Sequence, residues 1–295
     1  MGKTTRRGFL GGFLAAAAGY AAPMALGRSL ASGPRSASSG SVPRFELGLA
    51  SYTFREFDLD STVAAALRLG LRRIALKDVH LPLDSPESTI RATAGKVRAA
   101  GLDLYGCGVV YMASEAEVDR AFAYAKTGGM GMVIGVPEYG LLGRAEARVR
   151  ETGIRLAIHN HGPGDLRYPT PRSILDRILK LDGRIGVCLD VGHCRRSGLD
   201  PAEEAARCGP RLLDVHLKDV SAPSKDGTAV EVGRGVIDMP RFLRTLGEMG
   251  YGGTAAFEYE KDGKDPFAGL AESVGYVRGV LAALDKGKVL PGGKA

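Results

Sequence analysis

Eight times along this 295-residue chain a short apolar run is followed by an amphipathic stretch of helical period, and no other feature constrains the fold as much. The apolar runs span 47–54, 72–79, 102–111, 131–137, 154–160, 185–191, 212–220 and 252–259. They lack strict polar–apolar alternation, as strands buried on both faces do. Helical segments fill the intervals at 60–69, 88–100, 114–127, 141–152, 172–181, 201–207 and 240–249, with a last one over 267–284. Gly70, Gly101, Gly129, Gly153 and Gly250 stand where helices need a C-terminal cap. Eight βα units in this length predict an α/β fold, a closed (β/α)8 TIM barrel forming one domain over 44–285. A doubly wound open sheet is the competing arrangement. It needs a glycine-rich G-x-G-x-x-G turn after an early strand, and the sequence has none there.

The flanks read differently. Lys3, Arg6 and Arg7 precede a mostly apolar stretch from Phe9 to Leu26, and Ser29-Leu30-Ala31 offers a small-x-small cleavage site. Residues 1–31 are therefore expected to be a secretory signal, and Thr5-Arg6-Arg7-Gly8-Phe9-Leu10 resembles the twin-arginine type that exports folded proteins. The expected destination is the periplasm or the cell exterior. Gly11, Gly12, Gly19 and Pro23 interrupt the apolar stretch, so no stable membrane insertion is expected after cleavage. Residues 32–43 read as a flexible linker and 286–295 as a disordered tail. The formal charge of +7 includes Lys3, Arg6, Arg7 and Arg28, and without these four it is +3, too small an excess to argue for nucleic-acid binding. Four cysteines show no C-x-x-C spacing, and Cys107 and Cys188 fall inside apolar runs, as buried thiols do.

All five histidines fall at, or just past, the C-terminal end of an apolar run: His80, His159, His161, His193 and His216. Asp190 and Glu258 stand at the same level. In a parallel barrel that edge is where chemistry is placed. A lone Asp or His in a barrel more often makes an ordinary hydrogen bond; the whole set sorting to one edge favours a metal site. Asp190, His216 and Glu258 come from the sixth, seventh and eighth runs, and neighbouring parallel strands lie about 4.8 Å apart, so their side chains can converge on one ion. The fifth run supplies His159, with His161 in reserve, since a period of two points both the same way and Asn160 the other. A mixed oxygen and nitrogen set suits Mn²⁺, Mg²⁺, Co²⁺ or Zn²⁺. His193, three residues past Asp190, is better placed to hold substrate or carry a proton. Tyr52, Arg55, Lys77, His80 and Arg195 are further candidates for substrate contact, each weighed against packing or a solvated loop. Glu138 reads as a loop charge, and Glu260, on the same face as Glu258, as a salt-bridge partner.

At this point the residues reach a resemblance. IHNHGP (158–163), CLDVGH (188–193), DVHLKD (214–219), the G-R-G-x-I-D loop at Gly233–Asp238 and GYGGTAAFEYE (250–260) resemble the xylose isomerase-like TIM barrels, over roughly Phe45 to Leu284. The resemblance implies a divalent ion held by a Glu, Asp, His, Glu set near the ends of strands five to eight. The last three carry over to Asp190, His216 and Glu258. The first glutamate does not, because His159 stands in its place. The implied activity is a sugar isomerase or epimerase that moves a proton next to a carbonyl, acting on a small-molecule sugar. Glu258 would transfer the proton, with His159, His161 or His193 completing the acid/base pair and Lys77 or Lys218 donating to an oxyanion. The missing glutamate brings a lyase or dehydratase on a keto sugar or 3-keto glycoside close behind. A non-catalytic sugar-binding barrel ranks below both. A metal-dependent DNA-repair nuclease fits badly with five histidines and an export signal. The sequence leaves the oligomeric state open.

Overall fold

The eight apolar runs become eight parallel strands in a computed structural model that describes residues 45–286. The expected signal and linker lie outside the described residues, as does the expected tail beyond Lys286. The barrel strands are β1 (Glu46–Ala50), β2 (Arg73–Leu76), β3 (Asp103–Met112), β4 (Met132–Pro137), β5 (Arg155–His159), β6 (Ile185–Asp190), β7 (Leu212–Leu217) and β10 (Thr254–Phe257). They close in the order β1-β10-β7-β6-β5-β4-β3-β2, and β8 (Asp219–Val220) pairs antiparallel with β9 (Ala229–Val230) as a short separate ribbon. The helices are α1 (Leu59–Arg68), α2 (Glu87–Ala99), α3 (Glu115–Thr127), α4 (Leu142–Thr152), α5 (Pro171–Ile178), α6 (Val191–Arg196), α7 (Pro201–Cys208), α8 (Met239–Glu248) and α9 (Phe267–Lys286). The described chain is a single-domain TIM barrel.

Local chemistry explains the boundaries. Thr170 caps α5 through a reciprocal pair with Ser173, and Pro171 takes the first helical position, where its missing N–H costs nothing. Gly153 closes α4 at φ 73°, and its N–H reaches the Val149 carbonyl. β4, β6 and β7 are buried along their whole length, which is why their sequences do not alternate. Leu49, Ile74, Leu104, Ile134, Leu156, Leu189 and Val215 fill the core, each contributing about 1.5–3 kcal/mol by leaving water. Among the described residues, one helical stretch, Phe267–Asp285, is long and apolar enough to cross a membrane by length and composition. Its Leu270, Ser273, Val274 and Val277 are buried within the domain.

Three segments differ from the sequence expectation. Residues 51–54 leave the first strand and form a 3-10 turn. Ser51, Thr53 and Phe54 are buried, so the run is apolar because it is covered rather than because it pairs. The seventh strand stops at Leu217 instead of running to residue 220, and pairing resumes only in the β8–β9 ribbon. There Asp219 accepts the N–H groups of Val220, Gly233, Gly235 and Ile237, gathering the G-R-G-x-I-D loop onto one carboxylate. Finally, β6 runs directly into α6, a short helix with no apolar period of its own, because the Asp190 side chain caps it.

Candidate metal centre

The ends of four adjacent strands bring four donors together. His159 is the last residue of β5, Asp190 the last of β6, His216 the next to last of β7, and Glu258 follows β10 by one residue. One donor atom from each lies within 4.8 Å of all the others, and all four side chains are buried. His159 Nε2 is 3.1 Å from His216 Nδ1 and 3.4 Å from Asp190 Oδ2, while His216 Nδ1 is 3.1 Å from Glu258 Oε2. Ligands about 2.1 Å from a tetrahedral ion stand about 3.4 Å apart, so this donor set fits a divalent cation.

Each donor is held from behind. Asp190 Oδ1 accepts the His193 N–H at 2.7 Å as the cap of α6, leaving Oδ2 toward the cluster without an aligned hydrogen bond. Asn160 clamps the Asp190 backbone on both sides: its Nδ2 donates to the Asp190 carbonyl at 3.1 Å, and its Oδ1 accepts the Asp190 N–H at 3.0 Å. β6 and β7 pair so that Asp190 stands opposite His216, after a register shift between Val187 and Cys188.

A fifth group, Lys218, shares the same oxygens. Its Nζ lies 2.8 Å from Glu258 Oε2, 2.9 Å from Asp190 Oδ2 and 3.1 Å from Glu260 Oε2, and it is buried. Gly192 makes room for it, since a Cβ there would come 2.6 Å from the Lys218 Cγ. Burial raises the Glu258 carboxyl, but His216 and Lys218 outweigh it and hold that group well below the carboxylate range. Asp190 is held down in the same way against its burial, by His193 and Lys218. Burial lowers the Lys218 ammonium, and Asp190 and Glu258 more than restore it, well above the ordinary value. Burial drops His159 to about 4, so it is neutral and has a lone pair to offer. Burial also pulls His216 down, yet the adjacent Glu258 carboxylate lifts it to about 9.

The remaining candidates distribute around this centre. The His161 ring centroid is 4.5 Å from that of His159, and its Nε2 meets the Tyr111 hydroxyl at 2.9 Å. His193 Nε2 stands 3.9 Å from Asp190 Oδ2. Burial lowers both imidazoles. Arg55 stacks over the Tyr52 ring at 5.1 Å and donates to the Glu260 carbonyl at 3.1 Å, tying the turn after β1 to the loop after β10. Lys77 donates to the Val109 carbonyl at 2.6 Å, and His80 is held by Ser51 and Thr62, so the polar atoms of both are taken up by the frame. Arg195 reaches the Leu199 carbonyl and lines a small cavity with Asp200, Ile237 and Phe242, behind α6. Glu138 pairs with Arg167 at 2.9 Å, outside the cluster. Sequence reasoning missed Tyr111, Tyr105 and Asp214. Only Asp214 carried a signal: it precedes His216 by two and shares its face. All four cysteines are free and buried, and burial pushes Cys107 and Cys208 up to about 12.

The family model described as "Xylose isomerase-like TIM barrel" matches residues 141–280, the stretch that carries all four donors. Over that stretch the chain resembles the xylose isomerase-like TIM barrels. This barrel is 33% identical over 131 residues to the rhizopine catabolism protein MocC of Rhizobium meliloti, an alignment covering 39% of each chain. The chain spans less than half the length of the curated relatives it matches. Among solved structures it is similar to an L-ribulose 3-epimerase, with TM-score 0.65 and 15% identity over 82% of this chain and 96% of that one. It is also similar to the probable 3-DHS dehydratase AsbF of Bacillus anthracis, with TM-score 0.65 and 14% identity over 79% and 99%. At these identities the likeness to solved structures is one of fold. The solved structures similar to this barrel include an L-ribulose 3-epimerase, a sugar phosphate isomerase/epimerase and a probable dehydratase.

Proposed function

We propose that this barrel is a divalent-metal-dependent sugar isomerase or epimerase acting by proton transfer next to a carbonyl. The observation that carries this reading is the convergence of His159, Asp190, His216 and Glu258 within 4.8 Å at the mouth end of the strands. An ion held by these four would polarise the oxygens of a hydroxy-carbonyl sugar and so acidify the C–H beside the carbonyl. Glu258, held ionised by His216 and Lys218, accepts that proton. His159 and His216 both face the ligand cluster, which leaves His161 and His193 for the second proton position. Lys218, with a fixed positive charge beside Glu258, offsets negative charge developing on substrate oxygen. Tyr52, Arg55 and Tyr111 stand as candidates for holding the sugar.

One observation favours a second reading. β5 ends in His159, so a second carboxylate to mirror Glu258 is missing from that strand. An asymmetric pair serves β-elimination, in which Glu258 removes a proton and a histidine or Lys218 returns one to the departing oxygen. Product NMR on free ketoses and on 3-keto glycosides, run in D2O with the metal-loaded protein, separates the two. Isomerisation or epimerisation returns an isomer with solvent deuterium at the reacting carbon. Elimination releases water or an alcohol and leaves an unsaturated ketone. Glu258→Gln should abolish deuterium incorporation at saturating metal; incorporation at the wild-type rate would make Glu258 a ligand only. Export of the folded protein by the twin-arginine route is proposed on the Arg6-Arg7 pair alone.

A further inference from the structure

Asp214 is a fully buried carboxylate that the proposed reaction does not use. It precedes His216 by two residues on β7, so the two side chains share the inward face. Its Oδ2 accepts the Tyr105 hydroxyl at 3.3 Å and lies 3.7 Å from Cys188 Sγ, while its Oδ1 has no hydrogen-bond partner. His216 turns Nδ1 toward the donor cluster, at 3.1 Å from both His159 Nε2 and Glu258 Oε2. Its other nitrogen, Nε2, faces Asp214 Oδ2 at 3.9 Å and also has no hydrogen-bond partner. A buried N–H and a buried carboxylate thus stand opposite each other, and a closing shift of about 1 Å would join them in a hydrogen bond. Nothing in core packing asks for a carboxylate here. A buried carboxylate with one hydroxyl and one thiol for partners destabilises a barrel interior, where a leucine would not.

We propose that Asp214 is a positioning residue for the metal centre: it accepts the Nε2–H of His216 and thereby fixes the tautomer whose Nδ1 lone pair points at the ion. Tyr105 donates to the same carboxylate oxygen and holds it in place. The inference rests on the metal-centre reading above. A histidine ligand with a free second nitrogen can present either nitrogen as the proton-bearing one; a carboxylate behind it removes that choice and raises the basicity of the ligating atom.

The test uses the full chain, stripped with a chelator and titrated with Mn²⁺, alongside Asp214→Asn and Asp214→Leu. The asparagine variant should bind about 10-fold more weakly and the leucine variant up to about 100-fold more weakly. Thermal melting of the metal-free proteins supplies the readout that separates positioning from scaffolding. The metal-free leucine variant should melt no lower than wild type, because it has lost an under-partnered buried charge. Wild-type Mn²⁺ affinity in a folded Asp214→Leu overturns the inference. If that variant does not fold, wild-type affinity in Asp214→Asn overturns it. A drop in metal-free melting temperature of the asparagine variant that accounts for its whole affinity loss also overturns it. A wild-type protein that binds no divalent ion overturns the metal-centre reading and this inference together, whereas tight wild-type binding matched by both variants removes only the inference.

Discussion

Glu258 meets two positive groups before any substrate arrives, and the order of those contacts decides what each substitution does. His216 and Lys218 both reach the same oxygen, at 3.1 and 2.8 Å. Removing ligands without stranding Glu258 is therefore feasible, since Lys218 still pairs with it. The double variant Asp190→Asn, His216→Gln should lose divalent-ion binding in a calorimetric titration while keeping its far-ultraviolet circular dichroism, because Asn can still cap α6. Lys218 depends in turn on Gly192. A methyl at Gly192 would press on the Lys218 stem at 2.6 and 2.8 Å, so Gly192→Ala should push Nζ off the two carboxylates. The expected cost is about 1–3 kcal/mol in a urea unfolding curve, together with loss of turnover. Asp190, His216 and Glu258 were legible in the sequence because each sits at a strand end that hydrophobicity marks. Asp214 and Tyr111 were not. Asp214 lies mid-strand, where its one signal is that it shares a face with His216 two residues on, and Tyr111 meets His161 across 50 residues of chain.

At the scale of elements, the loops after the strands are tied by charge. Glu231, just past β9, accepts from Lys261 at 2.8 Å and from the Tyr259 hydroxyl at 3.0 Å, joining the ribbon to the loop after β10. The Lys261 contact leads the causes that hold the Glu231 carboxyl down, at about 2 against an ordinary 4.5. A carboxyl lowered on folding stabilises above its unfolded value and loses that contribution as pH falls through the folded one. Glu231→Gln should therefore lower the urea midpoint at pH 7 and converge on wild type near pH 2. Equal midpoints at pH 7 would show that the tie is fully screened by solvent. Element boundaries were legible where a glycine cap announces them, as at Gly153. They were misread at 51–54, where burial beneath neighbouring loops imitates the apolar signature of a strand, and at α6, which is too short to show a period.

For the whole molecule, closure of the barrel matters more than any single pair. Each barrel strand is covered on one side by helices and fills the interior on the other, so the barrel sheet has no edge to protect. The proposed export route carries folded proteins, so it would allow the barrel to fold and to load any ion before leaving the cytoplasm, and the Arg6-Arg7 pair is its proposed address. Replacing both by lysine should hold precursor in the cytoplasm, as read by cell fractionation. Unchanged export of that variant would remove the proposal and leave the metal centre untouched.

The sequence by itself determined the eight βα units and the level at which chemistry gathers. Both follow from local rules: the spacing of apolar residues, helix caps and the length of a strand. Which side chains meet was decided only by tertiary structure, through strand register. β7 slips by one residue against β6 between Val187 and Cys188, so Asp190 stands opposite His216 rather than Val215. Side chains alternate along a strand, and a slip of one residue exchanges the inward set for the outward one. That slip sets His216 and Asp214, not Val215, on the face with Asp190. It also places one His216 nitrogen against Glu258 and the other against Asp214. No local pattern in either strand encodes such a shift, because it depends on how two strands roughly 450 Å or more of extended chain away from the first one settle to close the ring.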